Sequence, residues 1–257
     1  MMQNKKMDVA LSNLLSRQDY LVTQANDLAR SFGNLTSFEH KVLDFCFSFV
    51  KKDDVPDTMY HLKSLDILHH LGLNSSGRNY QRIVKAFKSL NEGTAIYMAI
   101  KRPNGEKGIL MTSLFDHIAA FENGGIEFRF SRDISPYVFQ LKEHFYSFKL
   151  SELSRVRSKY TLTLMKLWNA NAMGKLTNTT IKGSLNEWES WFLGSDKDGK
   201  QRTMPAGVFK RDVLKKAEME LQSLYPDVQL FLTTKKQGVK VVGYELDIVR
   251  LKTHLRL

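Results

Sequence analysis

The stretch GVFKRDVLKKAEMEL, residues 207–221, decides how the rest of the chain is interpreted. At 100° per residue its apolar side chains fall on one side, which predicts a helix packed on a core. These apolar residues are Phe209, Val213, Leu214, Ala217, Leu221 and, just beyond the stretch, Leu224. The other side carries Val208, Arg211, Lys215 and Gln222. The solvated face of a helix usually mixes both charge signs, whereas the first half of this face is positive. An anionic partner is therefore a candidate.

The charge of the chain is basic and unevenly distributed. Its 257 residues have a formal net charge of +11. Residues 1–130 hold 16 Lys+Arg and 14 Asp+Glu, whereas residues 131–257 hold 22 and 13. The second half therefore carries a net charge of +9 and the first half only +2. An excess of this size in one half favours nucleic acid as the partner.

Several classes of protein are disfavoured by what the sequence lacks. The single cysteine, Cys46, excludes a disulfide framework, and we predict a buried thiol and no metal site. No run of about 18 apolar residues and no signal-peptide pattern occurs, so we expect a cytoplasmic protein without a membrane partner. The chain has no Gly-x-x-x-x-Gly-Lys-Ser/Thr motif, no His-x-His pair and no recognisable carboxylate cluster. We therefore predict neither a cofactor nor an enzymatic activity.

The same order of elements, three helices and then a hairpin, is predicted twice. The first set comprises helices at 36–52, 58–73 and 75–93, a hairpin at 94–118 that turns at Asn104–Gly105, and a strand at 124–131. A joining helix is predicted at 131–150. The second set comprises helices at 151–174, 184–194 and 206–224, and a hairpin at 228–249 that turns at Lys236–Gln237–Gly238. Three helices followed by a two-stranded wing are typical of a winged-helix domain. We therefore predict an α+β fold of two tandem winged-helix domains, residues 1–130 and 131–257.

The helix at 206–224 is then the candidate reader of a DNA major groove. Arg211 and Lys215 lie one turn apart on the exposed face. An arginine can donate two hydrogen bonds to O6 and N7 of guanine, and Val208 could contact a thymine methyl group. The alternative is an ordinary solvated helix. In the wing, Lys235, Lys236 and Lys240 suit phosphate or minor-groove contact. The alternative there is a turn kept polar to protect an edge strand.

Two other segments have a basic character. RVRSKY, residues 155–160, is predicted to open a helix, where positive charge opposes the helix dipole and a phosphate would compensate it. The helix at 75–93 has a similar basic face, for which DNA contact, a structural role and dimer formation remain alternatives. The complete set of predicted DNA-binding residues is Arg78, Arg82, Arg157, Lys159, Arg202, Val208, Lys210, Arg211, Lys215, Lys235, Lys236 and Lys240.

The stretches PYVFQLKEHFYSFKL (136–150), SKYTLTLMKLW (158–168) and VFKRDVLKKAEMEL (208–221) resemble the initiator Rep proteins of theta-replicating bacterial plasmids. The resemblance covers the chain from about residue 20 to 250. It implies two winged-helix domains that bind direct repeats, called iterons, in the double-stranded DNA of an origin. It also implies duplex opening, recruitment of host replication proteins such as helicase and initiator, and repression of the protein's own gene at an operator.

The resemblance further implies a division of labour between the domains. The N-terminal domain would supply the interface of a homodimer that is in equilibrium with the monomer. The helix at 206–224 would read the major groove, with a wing at 233–241. Apolar strand residues in the first half, among them Ile96 and Met111, are candidates for the dimer surface. The alternative function is a winged-helix transcription regulator that never opens an origin, and it would use the same DNA-binding residues.

Overall fold

The computed structural model describes residues 33–51, 53–139, 155–172, 177–196 and 200–251, except for the side chains of residues 97–99. Residues 1–32 and most of the predicted joining helix at 131–150 lie outside this part, although residues 135–139 are helical. Two units follow one another along the chain, and each has its own hydrophobic core. We call residues 33–139 the first unit and residues 155–251 the second unit.

The first unit begins with a helix that is capped by Thr36. The Thr36 hydroxyl accepts from the backbone N–H of Glu39, and the Glu39 carboxylate accepts from the N–H of Thr36, which satisfies two N–H groups at the helix start. The elements of the unit are α1 (Ser37–Ser48), β1 (Tyr60–Lys63), α2 (Ser64–His70), α3 (Gly77–Gly93), β2 (Ala95–Lys101), β3 (Lys107–Ser113), β4 (Phe115–Ala120) and β5 (Gly125–Phe130). The hairpin β2–β3 turns at Gly105, whose φ of 86° suits glycine, as predicted.

The predicted helix at 58–73 is wrong over its first part, where strand β1 lies. Tyr60 and Leu62 are buried while His61 and Lys63 are exposed, which is the period of two of a strand. β1 pairs with β5, and β5 with β4, in a three-stranded antiparallel sheet that is separate from the β2–β3 hairpin. The strand was missed because four residues carry little periodicity and their partner lies about 65 positions further along the chain.

The first core is rich in aromatic rings. Phe115 and Phe130 stack at 5.1 Å between centroids, and the Phe47 ring stacks on Phe130 at 5.3 Å. The core includes Ile134 and Val138, so the packed unit continues past residue 130. The boundary between domains at 130/131 stays a prediction.

The predicted dimer surface of the first unit is only partly available. Ile96 is 1% exposed and belongs to the first core, so it cannot contribute to an outer face. Met111 on the neighbouring strand is 59% exposed and remains a candidate for the dimer surface. Cys46 is a buried thiol, as expected.

The second unit repeats the order of helices and wing. Its elements are α4 (Lys159–Asn171), β6 (Thr179–Ser184), α5 (Leu185–Leu193), α6, β7 (Val228–Gln237) and β8 (Lys240–Arg250). Helix α6 is continuous but has three segments: Ala206–Phe209, a π-helical segment Lys210–Leu214, and Lys215–Leu224. The predicted helix at 151–174 is corrected, because residues 156–158 are not helical and α4 begins at Lys159.

Strand β6 was not predicted, and it completes the sheet order β6-β8-β7. Gly243 of β8 allows the two strands to approach closely, since a Cβ atom there would lie 2.3 Å from the carbonyl oxygen of Gly183. This sheet, α4, α5 and α6 enclose the second core, in which Trp168, Trp188 and Phe192 are fully buried. Both units therefore show three helices followed by a hairpin, which confirms an α+β winged-helix fold.

The two units meet through buried polar groups on α1 and α4. The Lys166 ammonium lies 2.7 Å from the Asp44 carboxylate and 3.1 Å from Nδ1 of His40, and the Lys166 and Asp44 side chains are only 2% and 1% exposed. Ala170 of α4 belongs to the first core. The Asn34 side-chain oxygen accepts from the backbone N–H of Ser195 at 2.6 Å. The units are thus joined by a desolvated ion pair as well as by apolar contact.

No helix in the described part of the chain is long and apolar enough to cross a membrane. No group of three or more His, Cys, Asp or Glu residues in the described ranges is placed to hold a metal ion.

Candidate nucleic-acid interface

Helix α6 packs on the second core as its pattern predicts. Its buried residues include Phe209, Val213, Leu214, Ala217 and Leu221. The start of the helix is fixed by Tyr244, whose hydroxyl donates to the carbonyl of Ala206 at 2.7 Å. Pro205 is the N-cap of the helix. Tyr244 is itself held by Trp188, whose indole N–H donates to the carbonyl of Tyr244 at 2.9 Å. Aromatic residues of the core therefore determine where the basic face of α6 stands.

Three cations on α6 are each held by an acceptor of the protein. The Lys210 ammonium donates to the Thr234 hydroxyl at 2.8 Å, which ties the helix to the wing. The Arg211 guanidinium forms two hydrogen bonds with the Asp212 carboxylate. The Lys215 ammonium donates to Glu218 at 2.7 Å, and the Glu218 side chain is only 7% exposed. The cations of α6 are therefore oriented before any ligand arrives. These cations were predicted from the sequence, but the groups that accept their hydrogen bonds were not.

The wing at the end of β7 and β8 carries a different kind of cation. Lys236 and Lys240 are exposed, and no ion pair joins either of them to an acid within the described ranges. Lys235 is the exception, because its ammonium lies 3.0 Å from the Glu245 carboxylate. The predicted turn shifts by about one residue: Gln237 pairs with Lys240, so Gly238 and Val239 form the tip. Exposed ammonium groups without an ion pair at a tip suit phosphate, which needs charge more than fixed geometry.

Val239 was not among the residues predicted to contact DNA. It is 99% exposed at the tip, between the exposed cations of the wing. An apolar side chain in this position suits the minor groove, whose walls are formed by sugars. Val208, the predicted thymine contact, is half-buried near the start of α6.

Arg202 and Lys159 come together beside α6. Both line a cavity of about 370 Å³ with Tyr160, Thr203 and Met204. The Lys159 ammonium donates to the carbonyl of Gly33 at 3.0 Å, and burial, together with the nearby Arg202 charge, lowers its pKa. Lys159 thus already takes part in the contact between the two units. Its predicted contact with DNA, like that of Arg202, stays a prediction.

The start of α4 already has an anion. The Glu220 carboxylate of α6 accepts from the backbone N–H groups of Arg157 and Ser158 at 2.7 and 3.0 Å, and from the Thr161 hydroxyl at 2.6 Å. A carboxylate at this position compensates the helix dipole, which the sequence interpretation assigned to a phosphate. Arg157 is exposed and precedes the helix instead of lying in it. Its contact with DNA remains a prediction, but the helix start no longer requires one.

In the first unit, α3 presents its basic face to solvent. Arg78 is exposed. The guanidinium carbon of Arg82 lies 4.4 Å from the centroid of the Phe38 ring, and its Nη1 donates to Asn79 at 3.3 Å. Arg82 therefore contributes to the contact between α3 and α1, and its role in DNA binding stays a prediction.

Comparison with known proteins shows related folds. A family model described as "Initiator Replication protein, WH1" matches residues 21–169, more than half of the chain. The structure described as "Crystal structure of Pi initiator protein in complex with iteron DNA" is similar, with a TM-score of 0.65 and 18% identity over 88% of this chain and 95% of that one. Domains 2 and 3 of RctB match with a TM-score of 0.51 and 14% identity, over 84% of this chain and 82% of that one. No curated protein matches the chain. At these identities the likeness to solved structures shows the fold alone.

Proposed function

The chain belongs to the family of initiator replication proteins, and we propose that it initiates plasmid replication by binding direct repeats, the iterons, in double-stranded origin DNA. The observation that carries the proposal is the surface formed by α6 and the wing. It joins a helix with oriented cations to a hairpin tip with unpaired ones through the bond between Lys210 and Thr234. The similar Pi initiator is described in complex with iteron DNA, which supports the same ligand here.

Each part of this surface suits a different part of a DNA duplex. A helix about 19 residues long fits the major groove, which admits one helix and displays a distinct pattern for each base pair. The wing then reaches the adjacent backbone and minor groove, where charge matters more than pattern. The net charge of +9 over residues 131–257 favours association with any DNA, and the α6 side chains supply the discrimination.

The proposal extends to the steps after DNA binding. Bound to several adjacent repeats, the protein would strain and open the neighbouring duplex and recruit host replication proteins such as the helicase and the initiator. The nearly neutral first unit would provide the homodimer interface, and the dimer would bind an operator and repress the gene. The exposed Met111 on β3 is one residue available for that interface.

The experiment that tests the proposal is plasmid maintenance. The gene, with its flanking direct repeats, is placed on a circular DNA that carries a selectable marker and no other origin. We expect transformants that keep the circle, and none from a matched circle with a frameshift early in the gene. Failure of the intact circle, together with repression of the gene's own promoter, would overturn origin activity and favour the transcription regulator.

A further inference from the structure

The contact between Arg211 and Asp212 divides the guanidinium into two edges. Nε of Arg211 donates to Oδ1 of Asp212 at 3.1 Å, and Nη2 donates to Oδ2 at 2.7 Å. The carboxylate therefore occupies the side edge of the guanidinium in a bidentate pair. The ammonium of Lys216 lies 3.5 Å from Oδ1 of the same carboxylate. Asp212 is thus paired with two cations and fixes the plane of one of them.

The other edge of the guanidinium is left for a ligand. A guanidinium has five N–H donors in a rigid fork, and Asp212 uses two of them. The remaining donors, on Nη1 and Nη2, point along the end of the side chain. No other group in the described part of the chain bonds to Arg211, whose side chain is 72% exposed. Two parallel donors at the end of a fixed arginine match the O6 and N7 acceptors of guanine in the major groove.

An aspartate at this position also has an electrostatic cost. A carboxylate on a surface that faces phosphates weakens binding to every DNA sequence. The hydrogen bond from Arg211 keeps the pKa of Asp212 below its ordinary value, so the carboxylate stays charged under ordinary assay conditions. Adjacent residues of a helix do not normally face one another, so this pair orients Arg211 where the helix geometry alone would not. The contact lies in the π-helical segment Lys210–Leu214, a kind of distortion that is frequent at functional sites.

We propose that Asp212 is a positioning residue that sets the base specificity of the site: it presents the end edge of Arg211 to a guanine and lowers affinity for DNA in general. The inference rests on the proposed function, because it presumes that α6 enters a major groove. A positioning role predicts that replacing Asp212 reduces discrimination at one base pair, which an ordinary surface ion pair does not predict.

The test uses the full chain and a duplex that the wild-type protein selects from a random pool. Affinities are measured at fixed salt for that duplex, for every single base-pair substitution of it, and for a random duplex. The position read by Arg211 is the one at which Arg211→Ala no longer discriminates. The variants compared are Asp212→Asn, Asp212→Glu, and the double variant of Arg211→Ala with Asp212→Asn.

Asp212→Asn is expected to bind the random duplex about two- to fivefold more tightly, because one negative charge is removed. At the Arg211 position its discrimination is expected to fall by about three- to tenfold, within the range that a bidentate contact contributes. Asp212→Glu is expected to retain most of the discrimination. The double variant is expected to show the same discrimination at that position as Arg211→Ala alone, because both changes act through one contact.

Asp227→Asn is the matched control. It removes the same charge from an acid paired with an arginine, Arg250, at the end of the hairpin opposite the tip. Its discrimination should equal that of the wild type. A uniform change over all duplexes in Asp212→Asn would overturn the positioning role and leave an ordinary surface ion pair. A wild-type chain that selects no sequence from the pool would overturn the proposed function, and the inference with it.

Discussion

Replacing Lys166 with methionine is expected to destabilise the protein strongly, because it leaves the Asp44 carboxylate buried without its cation. The ammonium lies 2.7 Å from that carboxylate, and both side chains are almost fully buried, so water cannot substitute for the lost partner. Removing one member of such a pair typically costs about 3–5 kcal/mol. In a chain of this size each kcal/mol lowers the Tm by roughly 2–4 °C, so the variant should melt about 6–20 °C lower. Urea denaturation followed by circular dichroism gives the free energy of unfolding.

Two further variants make this prediction specific to burial. Combining Lys166→Met with Asp44→Asn removes both charges, and it should recover at least half of the lost free energy. Lys182→Met removes an exposed cation that lies 3.5 Å from Glu245, and it should cost less than about 1 kcal/mol. A cost below about 1 kcal/mol for Lys166→Met would refute the reasoning. So would a double variant that is no more stable than Lys166→Met alone.

Two other predictions concern the second unit. Glu220→Ala should lower the free energy of unfolding by about 1–3 kcal/mol, because the backbone N–H groups of Arg157 and Ser158 lose their acceptor. Urea denaturation measures this free energy, and a loss below about 0.5 kcal/mol would contradict the prediction. Lys236→Ala should weaken binding to selected and random duplexes alike and reduce the log–log salt slope by about one. Lys235→Ala should reduce that slope less, because Glu245 already neutralises part of its charge, and equal slopes would refute the distinction.

The elements that could be predicted from sequence are those whose signal is local. The apolar stripe from Phe209 to Leu221 needs only the period of a helix, and the structure buries those residues. The hairpin at Asn104–Gly105 and the cap at Thr36 likewise depend on residues a few positions apart. The missed strands β1 and β6 are short, and each is defined by a partner strand about 60 to 70 positions away. No local pattern encodes that partner.

The same distinction separates the found and the missed parts of the candidate site. Cations on the exposed face of α6 are visible in the sequence because charge and helical phase are local. Their acceptors were not recognised: Thr234 lies on the wing, and no local pattern distinguishes Asp212 and Glu218 from ordinary charges of a solvated helix. Glu220 caps a helix that begins some 60 residues earlier, so its role needed the tertiary structure.

The central claim, that α6 reads DNA and the wing holds it, is tested most directly by the binding of wild-type chain and Arg211→Ala to two duplexes. One is the duplex selected by the wild type from a random pool, and the other is a random duplex, each titrated over a range of salt concentrations. The wild type should show a log–log slope of roughly −5, as expected for about six contacts with phosphate or bases. Arg211→Ala should lose about 1–3 kcal/mol on the selected duplex and much less on the random one. Equal losses on both duplexes would contradict the account, since α6 would then supply charge without reading bases.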